Sequence, residues 1–500
     1  MSETDRIRRV VIAGGGTAGW IAACALSHQF RTELEITLVE SEQIGTVGVG
    51  ESTIPPIRSF HQFLQIDERE FLRAVAGTFK LSISFENWRR DGEHYIHPFG
   101  IVGQGTQVCA FHHFWLESLR RGMHSDFDEF CLETQASRQG RFALQQRPPL
   151  NYAYHLDAGL YARFLRGISE RHGVRRIEGR IAHVSQHQRD GAIQALILED
   201  GQRIEGDLFI DCTGFRGLLI EQTLQTGYED WSHWLPCDRA VAVQTESTQA
   251  PLPYTRAIAH QAGWRWQIPL QHRVGNGLVY ASRFMSDDQA QAHLLQAVGG
   301  RPINDPRLVP FCTGRRRKVW NKNVVALGLA SGFIEPLEST SIQLTIAAVM
   351  RLLMLFPFEG IASSQIEIYN EVSRAEMEHV RDFIILHYHA NQRSEAMWQH
   401  CREMALPSSL ELRLRAWKEC AHVWQSSNEL FRTDSWVHVL LGQGDMPQQH
   451  HPLPRALSDA NLRGLIDSIR APIQQAVAGL PMQQAFIDRY CKSTPQIWGG

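Results

Sequence analysis

The segment that most constrains this chain reads Arg9-Val10-Val11-Ile12-Ala13-Gly14-Gly15-Gly16-Thr17-Ala18-Gly19-Trp20. An apolar run of strand character enters Gly14-x-Gly16-x-x-Gly19, and a helix pattern over 20–26 follows at once. The first glycine permits a tight turn, the second lets backbone approach a pyrophosphate, and the third lets the helix lie close on the sheet. Amides at the helix start, around Thr17 and Ala18, then face phosphate charge. A second strand pattern, 35–39, ends in Glu40, about 20 residues past the loop, where a ribose hydroxyl needs a carboxylate acceptor. Glycine-rich turns are common, so the pattern alone is weak; the flanking strand, helix and acid supply its context. The segment predicts an adenine-dinucleotide α/β module and leaves FAD and NAD open.

The chain has 500 residues, 43% hydrophobic and 21% charged, which fits a globular protein with room for two or three domains. A formal charge of -3 gives no global attraction to nucleic acid or anionic membrane. The compact basic run Arg315-Arg316-Arg317-Lys318 reads as a solvated loop, with an anion contact as the lesser alternative. Nine cysteines form no C-x-x-C pair and no metal-like spacing with histidine, and Cys24 and Cys212 fall inside apolar patterns. The start of the chain carries no signal-peptide pattern, and no apolar run is long enough for a membrane span. The expectation is a cytoplasmic protein with no bound metal, nucleic acid or membrane.

Further along, residues 44–56 hold three glycines and two prolines, including Gly50, Ser52, Thr53 and Ile54, and read as a shaped loop. Residues 79–85 alternate as a half-buried strand does, with Lys80, Ser82 and Ser84 opposite the core. On that pattern alone Lys80 faces solvent. Segment 86–150 is rich in aromatic residues and histidines; an aromatic-lined pocket is one reading, and core packing with scattered surface histidines, which composition favours, is the other. Asp157 stands at the start of a helix pattern, Asp200-Gly201 marks a hairpin, and 208–217 forms a second strand-to-glycine junction. Trp264 and Trp266 share one face of a strand. A buried strand at 323–327 runs into a turn holding Gly328 and Ser331, and an apolar helix begins near Ser339 and extends to about Leu355. Amides at that helix start form a ready anion site. From Ser364, in a capping-box pattern, the chain is mostly helical.

These segments together resemble the flavin-dependent halogenases of the tryptophan halogenase family over most of the chain. The matching pieces are the glycine loop, Gly50-Glu51-Ser52-Thr53-Ile54-Pro55, the lysine of Gly77-Thr78-Phe79-Lys80, and His97-Pro98-Phe99-Gly100. Trp264-x-Trp266-x-Ile268-Pro269 and Pro336-Leu337-Glu338-Ser339-Thr340 complete the set, and the tryptophan box with its upstream lysine is the specific part. The resemblance implies an α/β fold: a FAD-binding Rossmann-type (two-dinucleotide-like) module, an antiparallel sheet and a packed, mostly helical C-terminal region. It places the FAD module at 1–355, with inserted substrate-site elements at about 80–200, and a helical region over the substrate site at 356–500.

In that family, reduced FAD supplied by a separate flavin reductase reacts with oxygen, and the flavin hydroperoxide oxidises bromide or chloride to hypohalous acid. Carried over by motif, Lys80 receives the oxidant beside an aromatic substrate, as hydrogen-bond donor or haloamine. Glu338 orients the oxidant and helps accept the ring proton. The halide falls to Thr340 and Ser341, the cofactor to Gly14, Gly16, Thr17, Ala18, Gly19, Glu40, Gly50, Ser52, Thr53, Ile54, Gly328 and Ser331. The substrate or tunnel residues are His97, Pro98, Phe99, Trp264, Trp266, Ser339 and Trp436. Two departures stand out. Ser341 replaces a glycine usual in tryptophan-specific members, and residues 434–444 lack the tyrosine pair and acid that clamp an amino-acid head group. The stretch looks more like relatives that take free indole-like aromatics; free L-tryptophan and a carrier-tethered aromatic stay open. An aromatic monooxygenase of the same flavin fold is the competing enzyme reading, although Gly328 is followed by Leu329 where such enzymes usually carry aspartate. A flavin-binding protein without catalysis is the non-enzymatic one.

Overall fold

The structure is a computed structural model and describes residues 6–43, 50–144, 148–426 and 429–494. The chain divides into two units, and it weaves between them. One holds Met1–Gly77, Leu156–His233 and Pro310–Met377; the other holds Thr78–His155, Trp234–Val309 and Glu378–Gly500.

The first unit is built on a six-stranded sheet. Its order is Trp320–Asn321, Val324–Ala326, Leu208–Asp211, Arg9–Ala13, Glu35–Glu40, Arg175–Glu178, parallel except at the first pair. Val10, Val11, Ile12 and Ala13 are all buried, as expected of a parallel strand covered on both faces. The helix Thr17–Phe30 follows the glycine loop and is apolar almost all round, so it too is buried. The helix Ala158–Arg171 starts where its Asp157 cap predicts, with the carboxylate accepting from the Leu160 amide at 3.0 Å. Strands Ile193–Leu198 and Arg203–Glu205 pair across the predicted Asp200-Gly201 turn.

The second unit is built on a seven-stranded sheet. Strands Arg239–Thr245, Val274–Tyr280, Gly263–Pro269 and Tyr254–His260 are antiparallel neighbours. Ser82–Glu86 then pairs parallel with Tyr254–His260 and antiparallel with His94–Pro98. After Ser363–His389, the described chain is helical, through Ala396–Glu403, Ser408–Cys420, Thr433–Gly442, Asp459–Ala478 and Gln483–Tyr490.

Five local expectations are corrected. The 79–85 strand is broken at Leu81 into Thr78–Lys80 and Ser82–Glu86, and both faces are buried because two different sheets take up the halves. The basic run is not a solvated loop: Arg315 and Arg316 are buried, paired with Glu229 at 2.6 Å and Glu221 at 2.9 Å, and only Arg317 and Lys318 are exposed. His97, His112 and His113 are buried rather than scattered on the surface. Gly50–Ser52 forms a short strand within the expected loop, of which residues 44–49 lie outside the described residues. The Ser364 capping box is displaced, since the helix begins at Ser363 and Gln365 reaches back to the Ala362 amide at 3.0 Å.

Candidate active site

In the first unit the glycine loop sits between Arg9–Ala13 and the helix it feeds. Gly14 holds φ +105°, and the Gly14 amide donates to the Val39 carbonyl at 2.8 Å. A Cβ built on Gly16 would meet nothing within 4 Å. That open approach lies at the N-cap of Thr17–Phe30, where no side chain caps the first amides. Gly19 is in the first turn, and Ala18 lies against Gly328. These features fit the pyrophosphate of a dinucleotide. Glu40 ends its strand beside the loop, its carboxylate held by Arg176 Nε at 2.6 Å. Gly50, Ser52, Thr53 and Ile54 are buried. Ser331 donates to the Gly328 carbonyl at 2.7 Å, closing the turn after Val324–Ala326.

The same unit carries the turn Pro336–Glu338, then Ser339 and Thr340, then the helix Ser341–Met354. Ser339 adopts φ +60°, a left-handed conformation that a non-glycine residue holds only at a cost of order 1–3 kcal/mol. The carboxylate-bearing Glu338 is buried, as is Thr340. Thr340 is the N-cap, yet its hydroxyl makes no cap bond and has no partner among the described residues. A buried hydroxyl beside uncapped helix amides is a site that an anion can complete.

In the second unit Lys80 is 0% exposed at the end of Thr78–Lys80. Lysine is almost never fully buried without a specific use for its charge. Its Nζ stands 4.9 Å from the centroid of the Phe99 ring. Phe99 is positioned through its carbonyl, which accepts from Asn151 Nδ2 at 2.7 Å, while the Asn151 amide donates to Glu133 at 2.7 Å. Burial raises the carboxyl of Glu133 above its ordinary range. Pro98 is buried, and the His97 ring lies 5.7 Å from Phe383, which stacks on Phe431 at 3.9 Å. Trp436, in Thr433–Gly442, packs edge-on to Phe383 at 4.9 Å and is covered by the Arg413 guanidinium at 4.1 Å, so it is only 1% exposed. Arg413 is held by Glu429 at 2.7 Å.

Trp264 and Trp266 lie on one face of Gly263–Pro269 with ring centroids 6.1 Å apart, both buried. Trp266 pairs in register with Gly277, and a Cβ on Gly277 would fall 2.0 Å from the indole. The indole therefore lies flat over a glycine. Sequence reading missed Gly277, Asn151, Glu133, Arg176 and His155; Gly277 alone carried a local signal, as a glycine inside a strand pattern. Among the described residues, no group of three His, Cys, Asp or Glu is placed to hold a metal, and no helix is long and apolar enough to cross a membrane.

Comparison with known proteins shows the family. The tryptophan halogenase family profile matches residues 9–459. The chain is 35% identical to tryptophan 6-halogenase SttH of Streptomyces toxytricini, over 96% of this chain and 97% of that protein. The fold is similar to that of Xcc4156, a flavin-dependent halogenase from Xanthomonas campestris, with a TM-score of 0.97 and 52% identity over 98% and 100% of the two chains. It is also similar to BrvH, a flavin-dependent halogenase from Brevundimonas sp. BAL3, with a TM-score of 0.93 and 44% identity over 97% and 99%. The chain belongs to the tryptophan halogenase family and is a flavin-dependent halogenase of aromatic, tryptophan-like substrates.

Proposed function

We propose that this enzyme adds bromide or chloride, as hypohalous acid, to an indole-like aromatic, with Lys80 and Glu338 as its catalytic residues. The observation that carries this reading is the fully buried Lys80 ammonium-bearing side chain over the Phe99 ring, in a unit lined by aromatic residues. FAD, delivered reduced by a separate flavin reductase, supplies the activation of oxygen that oxidises halide. Gly14, Gly16, Gly19 and the amides of Thr17 and Ala18 hold its pyrophosphate. Glu40 meets the ribose, and Gly50, Ser52, Thr53, Ile54, Gly328 and Ser331 shape the rest of its bed. Thr340 and Ser341 hold the halide at the start of Ser341–Met354.

Lys80 Nζ donates to the oxygen of the hypohalous acid, a charge-assisted hydrogen bond of the stronger kind. The ring carbon bonds to halogen, the O–X bond breaks, and the departing hydroxide takes a proton from Lys80 Nζ to leave as water. Glu338 stabilises the cationic ring and accepts the proton lost from the substituted carbon. His97, Pro98, Phe99, Ser339 and Trp436 shape the aromatic site, while Trp264 and Trp266 keep the substrate away from the flavin. The absence of any tyrosine from residues 434–444 supports free indole over the amino acid.

The test is mass spectrometry of indole and L-tryptophan incubated with the enzyme, FAD, a flavin reductase, NADH and bromide or chloride. Wild type is expected to halogenate indole. Lys80→Met, which keeps side-chain bulk without charge, is expected to release hypohalous acid to a chemical trap without ring halogenation. Halide-independent addition of oxygen, or full halogenation by Lys80→Met, overturns the reading.

A further inference from the structure

Lys80 stands at a point where the chain changes sheets. Thr78–Lys80 pairs antiparallel with Ala153–Asp157, setting Thr78 opposite His155 and Lys80 opposite Ala153. Directly opposed residues share a face, and so do residues two apart on a strand. His155 is therefore the diagonal neighbour of Lys80 on its own face, beside the small Ala153. One residue later the strand leaves this pairing: the Leu81 amide donates to Pro253, and Ser82 takes its place beside Tyr254. Only three register pairs fix the segment that ends in Lys80.

Side chains reinforce it. Thr78 Oγ1 lies 2.7 Å from the carbonyl of Pro269, the last residue of the tryptophan strand. A carbonyl only accepts, so the hydroxyl proton is spent there. His155 Nδ1, 2.9 Å from the same hydroxyl, must then be the donor. The other ring nitrogen, Nε2, lies 3.0 Å from Thr255 Oγ1 on the neighbouring strand Tyr254–His260. Burial, and then the charge of Lys80, hold the imidazole well below its ordinary range, so it is neutral and Nε2 accepts from Thr255. One fully buried ring thus joins three elements: the lysine strand, the end of the tryptophan strand and the strand beside it.

We propose that His155 is a positioning residue: as the Nδ1-protonated neutral imidazole it fixes the strand that presents Lys80 against the tryptophan box. This rests on Lys80 being the residue that meets the oxidant. A ring held by two hydroxyls cannot rotate without losing both bonds, so the Thr78 end of a three-residue strand is pinned on either side. Displacement of a reacting group by about 1 Å costs on the order of 10²-fold in rate, which is the scale of motion this clamp prevents.

Two measurements test it. In selectively 15N-histidine-labelled wild type, the resonances lost in His155→Gln identify His155, and they are expected to report a protonated Nδ1 and a bare Nε2. A protonated Nε2, or an imidazolium, overturns the assignment whatever the activity of the variants. In the second, ring halogenation and total trapped hypohalous acid are measured together for His155→Phe, which keeps a ring and removes both hydrogen bonds. The ratio of product to oxidised halide is expected to fall at least about tenfold with total halide oxidation little changed. His155→Gln, able to donate and accept, is expected to restore part of the ratio. Loss of both outputs in proportion, or an unchanged ratio, overturns the positioning role. Lys80→Met run alongside separates the two readings: if it keeps the wild-type ratio, the role of Lys80 itself falls.

Discussion

Gly277→Ala places one methyl group where the structure has no room for it. The added carbon would lie 2.0, 2.1 and 2.4 Å from Cζ2, Cη2 and Cε2 of Trp266. Carbon atoms are comfortable at about 3.5–4.0 Å, so the indole must move by roughly 1.5 Å. It has little freedom to do so. Trp264 stands 6.1 Å away on the same strand face and is itself packed against Trp88 at 6.4 Å. Overpacking of this kind costs about 1–3 kcal/mol, read as a lower urea midpoint at unchanged slope.

A double-mutant cycle makes the reasoning sharp. Trp266→Phe removes the atoms that collide, so Gly277→Ala should be cheaper in that background by about 1–2 kcal/mol. The same displacement bears on function. A moved Trp266 opens the wall that the proposed mechanism sets between substrate and flavin, so the single variant should yield hydroxylated indole or waste NADH per halogenated product. Strict additivity of the two substitutions in urea would refute the steric account. Normal coupling of NADH to product, with the midpoint lowered as expected, would leave the packing intact as an explanation and remove the wall.

Three further expectations follow from particular contacts. Thr340→Val keeps shape and removes the buried hydroxyl; a hydrogen bond to an ion is worth about 1.5–3 kcal/mol, so the halide KM should rise about 10–100-fold with kcat little changed. An unmoved bromide KM would take the halide away from Thr340. Asp211 accepts from the Thr213 amide and hydroxyl at 2.9 and 2.6 Å and from the Leu219 and Ile220 amides at 2.8 Å, so Asp211→Ala strands the last two donors in the core. A loss of about 2–6 kcal/mol in unfolding free energy is expected, and a loss below about 1 kcal/mol contradicts the network's weight. Burial lowers His61, His260 and His438 to about 3 and His112 to about 4, and holds His155 well below its ordinary range. The unfolded chain takes up these protons below about pH 6.5 and the native state does not, so the stability is whole above that pH and is lost as pH falls. The five rings together lower the unfolding free energy as pH falls from 7 to 5; urea midpoints that stay level over that range would show the rings are hydrated.

What the sequence makes legible here is whatever one segment decides alone. Arg9–Ala13, the glycine loop and Thr17–Phe30 follow from an apolar run, a turn and a helix pattern with no distant help. Asp157 reads as a cap because its partner is three residues away. Lys80 is the opposite case. Its alternating neighbours announce a half-exposed strand, because period two gives a face and says nothing about what covers it. The cover is remote: Ser82 meets Ser137 at 2.7 Å, Thr78 meets Pro269, and His155 meets Thr255. The same holds for Arg315 and Arg316, whose run looks solvated until Glu229 and Glu221 are folded beside them. Motif resemblance could single out Lys80 because the motif stores the outcome of those contacts. It could not single out His155 or Gly277, whose importance arises only when register sets one against Thr78 and the other beneath Trp266. A residue whose role is defined by its partner becomes visible with the partner, and substitutions at such positions are the ones a pattern reading will call silent and the folded protein will not.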